Sequence, residues 1–372
     1  MNRKGPLKVL FVTHYNLDVS GGVEGWIKDV AISLQGRGHK TTVLDTHSGN
    51  YNNNLRSQLR AAGVHSITVN TVLGFPRIKD LRTILEKVES ADIVYIVYLN
   101  RGLLFFVALA VRCKRKVKLI VGDHSDVYAI KPGFVATASR KLLTLLFRGN
   151  SKRLLFHSVN SETCSLYRRM GISRVYHFPN GIDVTKYHPS KKFDVFTMLF
   201  MAKLVRHKGV HLLGDLANSL AETSEIRLII AGTGPLKQFV NELCARYPGK
   251  ISYMGFVMGS EKMMLLSKSH VTLILSKREA FSITGLESLA SGTPVVSLDV
   301  QGPREYVISG FNGYLCSELA EIVYRVKELS SQYKSSRGEY ERISKNAFST
   351  AGRFSLTNVV TSFECMIESF FA

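Results

Sequence analysis

The sequence predicts an α/β protein of two domains, each a parallel sheet wound with helices on both faces. Three observations carry this. The chain has 372 residues, more than one hydrophobic core ordinarily organises. From Lys8 onward, short runs of apolar residues alternate with helical patterns, the order of a parallel sheet. The alternation breaks once, at the polar stretch Thr185–Asp194 (TKYHPSKKFD), and restarts at Phe196. At 45% hydrophobic and 21% charged residues the composition is that of a globular protein, and 29 glycines without a period exclude a fibrous one.

The first half opens with a strand over Lys8–Thr13. A loop ending at Ser20-Gly21-Gly22-Val23-Glu24 leads to a helix over Gly25–Gln35, and Gly36-Arg37-Gly38-His39 closes it. Thr41–Leu44 is the next strand. On its own the Gly-Gly pair equally suits a tight turn into a helix. Ile67–Asn70 reads as a strand and Pro76–Val88 as a helix. Asp92–Leu99 is a buried strand, Gly102–Cys113 an apolar helix, and Lys118–Gly122 a strand ending at Asp123-His124-Ser125-Asp126. A polar cluster just past a parallel strand lies where such sheets bind ligands, although a loop histidine needs no such role. Leu155–Val159 is a strand followed by a helix with Ser161 as its N-cap. Asn180-Gly181, in Phe178-Pro179-Asn180-Gly181-Ile182-Asp183, tolerates a turn with positive φ.

The second half restarts with a strand over Phe196–Met201. Lys203-Leu204-Val205-Arg206-His207-Lys208-Gly209 follows, then a helix over Val210–Ala221. Cations on a strand-to-helix loop suit a diphosphate, or simply solvent. Ile226–Ile230 is a strand closed by Ala231-Gly232-Thr233-Gly234-Pro235, and Ile251–Met254 one closed by Gly255-Phe256-Val257. Val271–Leu275 is a short buried strand, Leu286–Ala290 the body of a helix stopped at Gly292, and Val295–Leu298 the next strand. The tail Phe354–Phe371 is helical.

The stretch Ser276–Val296 holds the strongest chemistry. Glu279 falls on the loop and Glu287 about two turns into the helix, with Phe281-Ser282-Ile283-Thr284-Gly285 between them. Free N–H groups at a helix start, with the positive end of the helix dipole, form a phosphate site. A carboxylate on the loop can take sugar hydroxyls, and one on the helix a ribose. Two solvated glutamates at a helix boundary are the plainer alternative.

Residues 1–190 hold 28 Lys and Arg against 12 Asp and Glu, an excess of 16 in a chain of net charge +20. So one-sided a field marks an anionic partner. Within it, Arg140–Leu155 interleaves Leu and Phe with Arg140, Lys141, Arg148, Lys152 and Arg153, a pattern that suits an anionic lipid surface or a helix packed beneath a basic rim. The five cysteines are scattered without a C-x-x-C, as in a reducing compartment. No leader pattern or membrane-spanning run is seen, so the expected location is cytoplasmic, with peripheral contact at the inner face of the plasma membrane. No Asp-x-Asp occurs, so no metal ligands are assigned.

The spacing E-x7-E from Glu279 to Glu287, followed by Gly292-Thr293-Pro294-Val295-Val296, resembles the retaining glycosyltransferases of family GT4 with the GT-B fold. Gly232-Thr233-Gly234-Pro235, Gly302-Pro303-Arg304-Glu305 and Gly310-Phe311-Asn312-Gly313 are similar to that family's later motifs, in order, so the likeness spans nearly the whole chain. The resemblance implies two Rossmann-like domains with a cleft between them: residues 1–187 for the acceptor, 188–352 for the nucleotide sugar, and a helix over 353–372 crossing back to the first. It places Gly21 and Gly22 near the donor phosphate and acceptor, and His124 on the donor sugar. Lys203, Arg206 and Lys208 would meet the diphosphate with the N–H groups of Ser282, Ile283 and Thr284. Glu279 would take the sugar hydroxyls and Glu287 the ribose. Gly234, Phe256, Val257 and Phe281 complete the donor site, the base lying just after Ile251–Met254. One departure stands out: the family's G-R-L is Ala202-Lys203-Leu204 here, which keeps the charge and loses the bidentate fork.

The expected function is therefore transfer of a sugar from a nucleotide-diphosphate donor to a lipid-linked or cell-surface glycan acceptor, with no cofactor besides the donor substrate. Glu279, His124, Lys208 and Lys203 would carry the reaction. A GT-B enzyme of another kind, such as a sugar-nucleotide epimerase, and a basic protein that binds membrane or nucleic acid without catalysis are the alternatives. No nucleic-acid motif is present, which argues against that partner.

Overall fold

The computed structural model describes residues 5–13, 22–46, 55–97, 102–114, 116–124, 145, 151–220 and 225–371. The chain forms two compact units: residues 1–180 with 356–372, and residues 181–355.

Unit 1 is a parallel sheet of β1 (Lys8–Thr13), β2 (Lys40–Thr46), β3 (His65–Val69), β6 (Ile93–Val97), β7 (Lys118–Asp123), β8 (Leu154–Ser158) and β9 (Val175–His177), in the order β3-β2-β1-β6-β7-β8-β9. The central strands β1, β6 and β7 are largely apolar and almost wholly buried because both faces are covered. On one face lie α3 (Ile78–Ser90), α4 (Gly102–Cys113) and α5 (Ser161–Arg169), with Ile84, Leu104, Val107 and Tyr167 in the core. On the other lie α1 (Gly22–Gly36) and α2 (Leu55–Ala61). The C-terminal helix, α13 (Leu356–Glu368), packs against that same face. Its Phe363 ring stands 5.8 Å from Phe11 and 5.6 Å from Tyr95. Thr361 accepts a hydrogen bond from Arg37 at 3.0 Å. A two-strand hairpin, β4 (Thr71–Val72) and β5 (Phe75–Pro76), stands between β3 and α3.

Unit 2 repeats the plan with β10 (Phe196–Met201), β11 (Ile226–Ala231), β12 (Ile251–Tyr253), β13 (Val271–Ile274), β14 (Val295–Leu298) and β15 (Gly313–Cys316), ordered β12-β11-β10-β13-β14-β15. Around them lie α6 (Leu213–Ser219), α7 (Lys237–Arg246), α8 (Gly259–Lys268), α9 (Ile283–Ala290), the short α10 (Gln301–Arg304), α11 (Leu319–Ser335) and α12 (Arg337–Gly352). The strand order reverses between β10 and β13, and the loops leaving those neighbours open onto one crevice at the sheet's carboxyl edge. In unit 1 the same reversal falls between β1 and β6.

Several local expectations shift. The helix expected over Val210–Ala221 begins as one 3₁₀ turn, Val210–Leu212, separated by Gly209 at φ +83° from a preceding 3₁₀ turn over Arg206–Lys208, and α6 starts only at Leu213. The cap of α5 is Asn160, whose side chain accepts from the Thr163 N–H at 2.8 Å, so Ser161 is the first helical residue. Glu287 is the fifth residue of α9, little more than one turn in. Of the basic stretch Arg140–Leu155, Arg140, Lys141 and Arg148 lie outside the described residues. Arg153 is buried rather than presented to a surface. Its guanidinium donates to the carbonyls of Val117 at 2.8 and 3.0 Å and of Val111 at 2.6 Å, capping the end of α4. Leu154 and Leu155 are core residues of β8.

Candidate active site

In unit 2 the switch point is where the predicted residues meet. The loop after β10 and the loop after β13 touch backbone to backbone: a Cβ on Gly209 would lie 2.1 Å from the carbonyl oxygen of Leu275, so only glycine fits. That approach lets Lys208 reach across. Its Nζ lies 2.5 Å from Glu279 Oε2, which also accepts from the Ser276 hydroxyl at 3.1 Å. Glu279 is held from behind, its carbonyl accepting the Gly302 N–H at 2.8 Å.

The chain then enters α9 through Ser282, at φ 64° and ψ 88°, a left-handed conformation that costs a side-chain-bearing residue free energy. The strain is contained by Tyr306, whose hydroxyl donates to the Ser282 carbonyl at 3.0 Å. Gly285 makes room for it, since a Cβ there would sit 2.2 Å from that hydroxyl. Burial raises the Tyr306 hydroxyl above its ordinary pKa and keeps it a donor. Phe281 is buried against Tyr306 and Phe354, with ring centroids 5.3 and 6.1 Å away. The leading N–H groups of α9, at Ile283 and Thr284, have no carbonyl one turn earlier in the helix. They present the positive end of its dipole.

Glu287 is buried in the same helix. Its Oε1 accepts from the Tyr187 hydroxyl at 2.7 Å and from Lys262 Nζ at 2.6 Å. Its Oε2 is buried without a hydrogen-bond partner. Such an oxygen costs free energy until a donor reaches it, and a ribose diol supplies donors. Lys203 and Arg206 are exposed on the loop that carries Lys208. Gly234, after β11, lets that loop close, its absent Cβ leaving room for the Leu204 carbonyl at 2.6 Å. Past the edge strand β12, Phe256 is exposed and Val257 buried.

In unit 1, His124 follows β7 and is buried, with the Trp26 ring centroid 4.2 Å away. Its Nε2 is 2.7 Å from the Tyr95 hydroxyl, and its Nδ1 is 3.1 Å from the Asn180 side-chain amide. Tyr95 in turn lies 2.8 Å from His157 Nδ1, and His157 Nε2 lies 2.9 Å from the Phe178 carbonyl. Burial drives His124 down to about 3 and His157 well below its ordinary range, so both rings are neutral near pH 7. With neutral rings one ordering satisfies every link. His157 Nε2–H donates to Phe178, Tyr95 O–H to His157 and His124 Nε2–H to Tyr95, and this ordering turns the Asn180 amide end for end, so that its NH₂ rather than its Oδ1 meets His124 Nδ1. The chain is possible because residue 122 is glycine: a Cβ there would lie 2.0 Å from the Tyr95 oxygen. Gly21 lies outside the described residues, and Gly22 is the first residue of α1.

Thus unit 2 brings Lys208, Glu279, Ser282, Ile283 and Thr284 to one edge of its sheet, with Glu287 further along α9. Sequence reasoning missed Tyr187, Lys262, Ser276 and Tyr306. Tyr187 and Glu287 are 100 positions apart, and no local pattern links them. It also missed Glu24, buried in the first turn of α1 and raised to about 7 by desolvation, though it stands in the Gly-Gly-Val-Glu stretch already singled out. Among the described residues no group of three His, Cys, Asp or Glu is placed to hold a metal. No described helix is long and apolar enough to cross a membrane.

The chain matches two family models in succession: Glycosyltransferase Family 4 over residues 20–186 and Glycosyl transferases group 1 over residues 184–350. The protein belongs to the GT4-type glycosyltransferases. A glycosyltransferase of Methanocaldococcus jannaschii is 33% identical to it over 122 residues, which span 32% of this chain and only 31% of that one. A phosphatidylinositol N-acetylglucosaminyltransferase polypeptide of Arabidopsis thaliana is 23% identical over 313 residues, 80% of this chain and 69% of that one. The Anabaena protein HepE, solved in complex with UDP, superposes with a TM-score of 0.79 at 18% identity, covering 98% of this chain and all of that one. The fold of this GT4-type glycosyltransferase is accordingly GT-B, with the two parallel-sheet units described above.

Proposed function

We propose that this glycosyltransferase moves a hexosyl group from a nucleoside-diphosphate donor, held by unit 2, to a lipid-linked acceptor held by unit 1. The anomeric configuration is retained and no metal takes part. The observation that carries the reading is the Lys208–Glu279 pair at the unit 2 switch point, beside the start of α9. The chemical difficulty is charge. As the bond from C1 to the β-phosphate oxygen breaks, its electron pair goes to the diphosphate. Lys208, with Lys203 and Arg206 on the same loop, and the N–H groups of Ile283 and Thr284 stabilise that charge where it develops. Glu279 orients Lys208 and takes sugar hydroxyls. Glu287 takes the ribose diol on its unpartnered Oε2. The acceptor oxygen bonds to C1 on the face the diphosphate leaves, and its proton passes to the departing phosphate oxygen.

Two things support a lipid-linked acceptor: the excess of 16 positive charges in residues 1–190, and the phosphatidylinositol in the name of the Arabidopsis relative. A cytoplasmic location at the inner membrane face goes with this reading. The test is donor turnover without acceptor, measured as nucleoside diphosphate released from UDP-, GDP- and ADP-sugars. Slow hydrolysis of one donor class, accelerated by a lipid-linked glycan acceptor, is expected. Isomerised sugar nucleotide with no diphosphate released would establish an epimerase, and binding without turnover would reduce the protein to a basic binder.

A further inference from the structure

The hairpin between β3 and α3, with the first residue of α3, carries apolar side chains that are largely exposed. Leu73 is 96% exposed, Ile78 87%, Phe75 59% and Val72 55%. Scattered exposed apolar residues are ordinary on a protein surface, but four within seven positions are not.

Backbone preference does not explain the residue at the tip. Leu73 has φ +50° and Gly74 φ +83°, the two left-handed positions of a tight hairpin turn. Asn-Gly is the favoured pair there, and a leucine is disfavoured. Leu73 is thus rewarded neither by conformation nor by burial among the described residues.

The hairpin is held firmly. The Leu103 N–H donates to the Gly74 carbonyl at 2.6 Å, tying the turn to the start of α4. One face of the Phe75 ring covers Gly102, where a Cβ would lie 2.4 Å from the ring. The Arg77 N–H donates to the Asn70 carbonyl at 3.0 Å, and Asp80 accepts the Asn70 N–H at 3.0 Å, which turns that carboxylate back onto the hairpin.

Apart from Asp80, whose carboxylate is turned onto the Asn70 N–H, the charges nearest the tip are positive. Arg77 and Lys79 are exposed and have no acidic partner among the described residues. Arg82 follows on α3, paired to Glu86, on the face that carries Ile78 and, seven residues on, the exposed Leu85. The tip protrudes, with Leu73 96% and Ile78 87% exposed, and four side chains offer too little area for a stable protein partner. Protruding apolar side chains flanked by exposed cations fit the headgroup layer of a bilayer, where the apolar groups enter the acyl boundary and the cations meet lipid phosphates.

We propose that the β4–β5 hairpin is a membrane-docking wedge: Val72, Leu73 and Ile78 enter the interface of an anionic bilayer, and Arg77 and Lys79 hold its phosphates. It stands at the carboxyl end of β3, on the ligand-binding edge of the unit 1 sheet. For its purpose, though not for the binding itself, the inference rests on the lipid-linked acceptor of the proposed function.

The test is co-sedimentation of the full chain with vesicles of phosphatidylcholine alone, or mixed equally with phosphatidylglycerol, at low and high salt. Wild type is expected to partition onto the mixed vesicles more strongly than onto the neutral ones. Leu73→Asn with Ile78→Gln should lower partition onto both by about tenfold or more, as the apolar entry is lost. Asn suits the left-handed position, so thermal stability should hold. Arg77→Gln with Lys79→Gln should erase most of the preference for anionic vesicles while leaving the residual binding at high salt. Turnover of the soluble donor should be unchanged in both. Failure of the wild type to sediment, or unchanged sedimentation of the Leu73 variant, overturns the wedge while leaving donor turnover to judge the enzyme. A concentration-dependent oligomer in light scattering that Leu73→Asn dissolves would likewise overturn it, assigning the tip to a protein interface.

Discussion

The ammonium of Lys208 lies 2.5 Å from Oε2 of Glu279, although 71 residues separate them. Both sit on loops that leave adjacent strands at the point where the strand order of unit 2 reverses. Each loop approaches the other because Gly209 has no Cβ to strike the Leu275 carbonyl. The pair would hold the lysine ready for diphosphate charge while keeping the glutamate available for sugar hydroxyls.

The first prediction concerns this pair. Glu279→Gln should lower kcat by roughly 10²-fold, since an oriented polar contact to a developing charge is worth about 3 kcal/mol. Lys208→Ala should cost a similar amount. The double variant should lose far less than the product of the two, because the residues act as a unit. Steady-state kinetics on a responsive donor decide it, and independent, multiplying losses would separate the two roles.

Glu287 should behave differently. Its contact with the donor is present before and during reaction, so Glu287→Gln should raise the donor KM by about 10- to 100-fold, the worth of a hydrogen bond to a charged group, with kcat less affected. Tyr187→Phe removes one of the two donors to Oε1 and leaves Lys262 in place. A few-fold rise in KM at constant kcat is expected. A fall in kcat with KM unchanged would remove Glu287 from the ribose.

A third expectation is that exhaustive chelation leaves turnover unchanged. The charge of the leaving group would be met by Lys208, its neighbouring cations and the α9 N-terminus, and no trio of metal-ligating side chains gathers among the described residues. Activity lost to EDTA and restored by Mg²⁺ or Mn²⁺ would place a divalent ion in the reaction.

How much of this was legible in the sequence depends on range. Strand periodicity marked β1, β6, β10 and β13, and the Glu279–Glu287 spacing marked the start of α9, because both are local patterns. The partners of those residues were not legible. Tyr187, Lys262 and Tyr306 reach their targets through tertiary packing, and nothing near them in the chain signals it. Arg153 shows the same limit from the other side. Beside Lys152 it reads as part of a basic surface, yet bonds to the carbonyls of Val111, Lys114 and Val117 hold it buried at the end of α4.

His124→Ala should reduce turnover strongly while leaving the affinity for nucleoside diphosphate intact, since that ligand is assigned to unit 2. The chain of bonds through Tyr95 and His157 adds a stability consequence. Both histidines are held neutral, His124 with a pKa near 3, below its unfolded value of 6.5. The unfolded state therefore binds more protons than the folded one below pH 6.5. Stability is fully present above that pH and is lost as pH falls from 6.5 toward 3. Acid melting of the wild type should begin in this window, and His124→Ala should melt with a shallower pH dependence. Equal loss of diphosphate affinity would contradict the division of labour between the units.

The last prediction isolates Glu24. Its carboxyl is buried in the first turn of α1 and raised by desolvation from 4.5 to about 7, only partly offset by its own backbone N–H. A folded-state pKa above the unfolded one means that the folded protein binds the extra proton between those values. Stability from this group is thus greatest below about pH 4.5 and declines as pH rises through 7. The full difference is up to about 3 kcal/mol from the size of the shift. A glutamine in its place would have the shape of the protonated acid at every pH. Glu24→Gln should therefore leave the melting temperature almost unchanged at pH 4.5 and raise it by several degrees at pH 8. The histidine titrations are common to both proteins and cancel in the difference. A gap that stays constant with pH would mean that Glu24 titrates normally and that its burial carries no charge penalty. A variant less stable at pH 8 would mean that the carboxylate has a cationic partner that stabilises its charge.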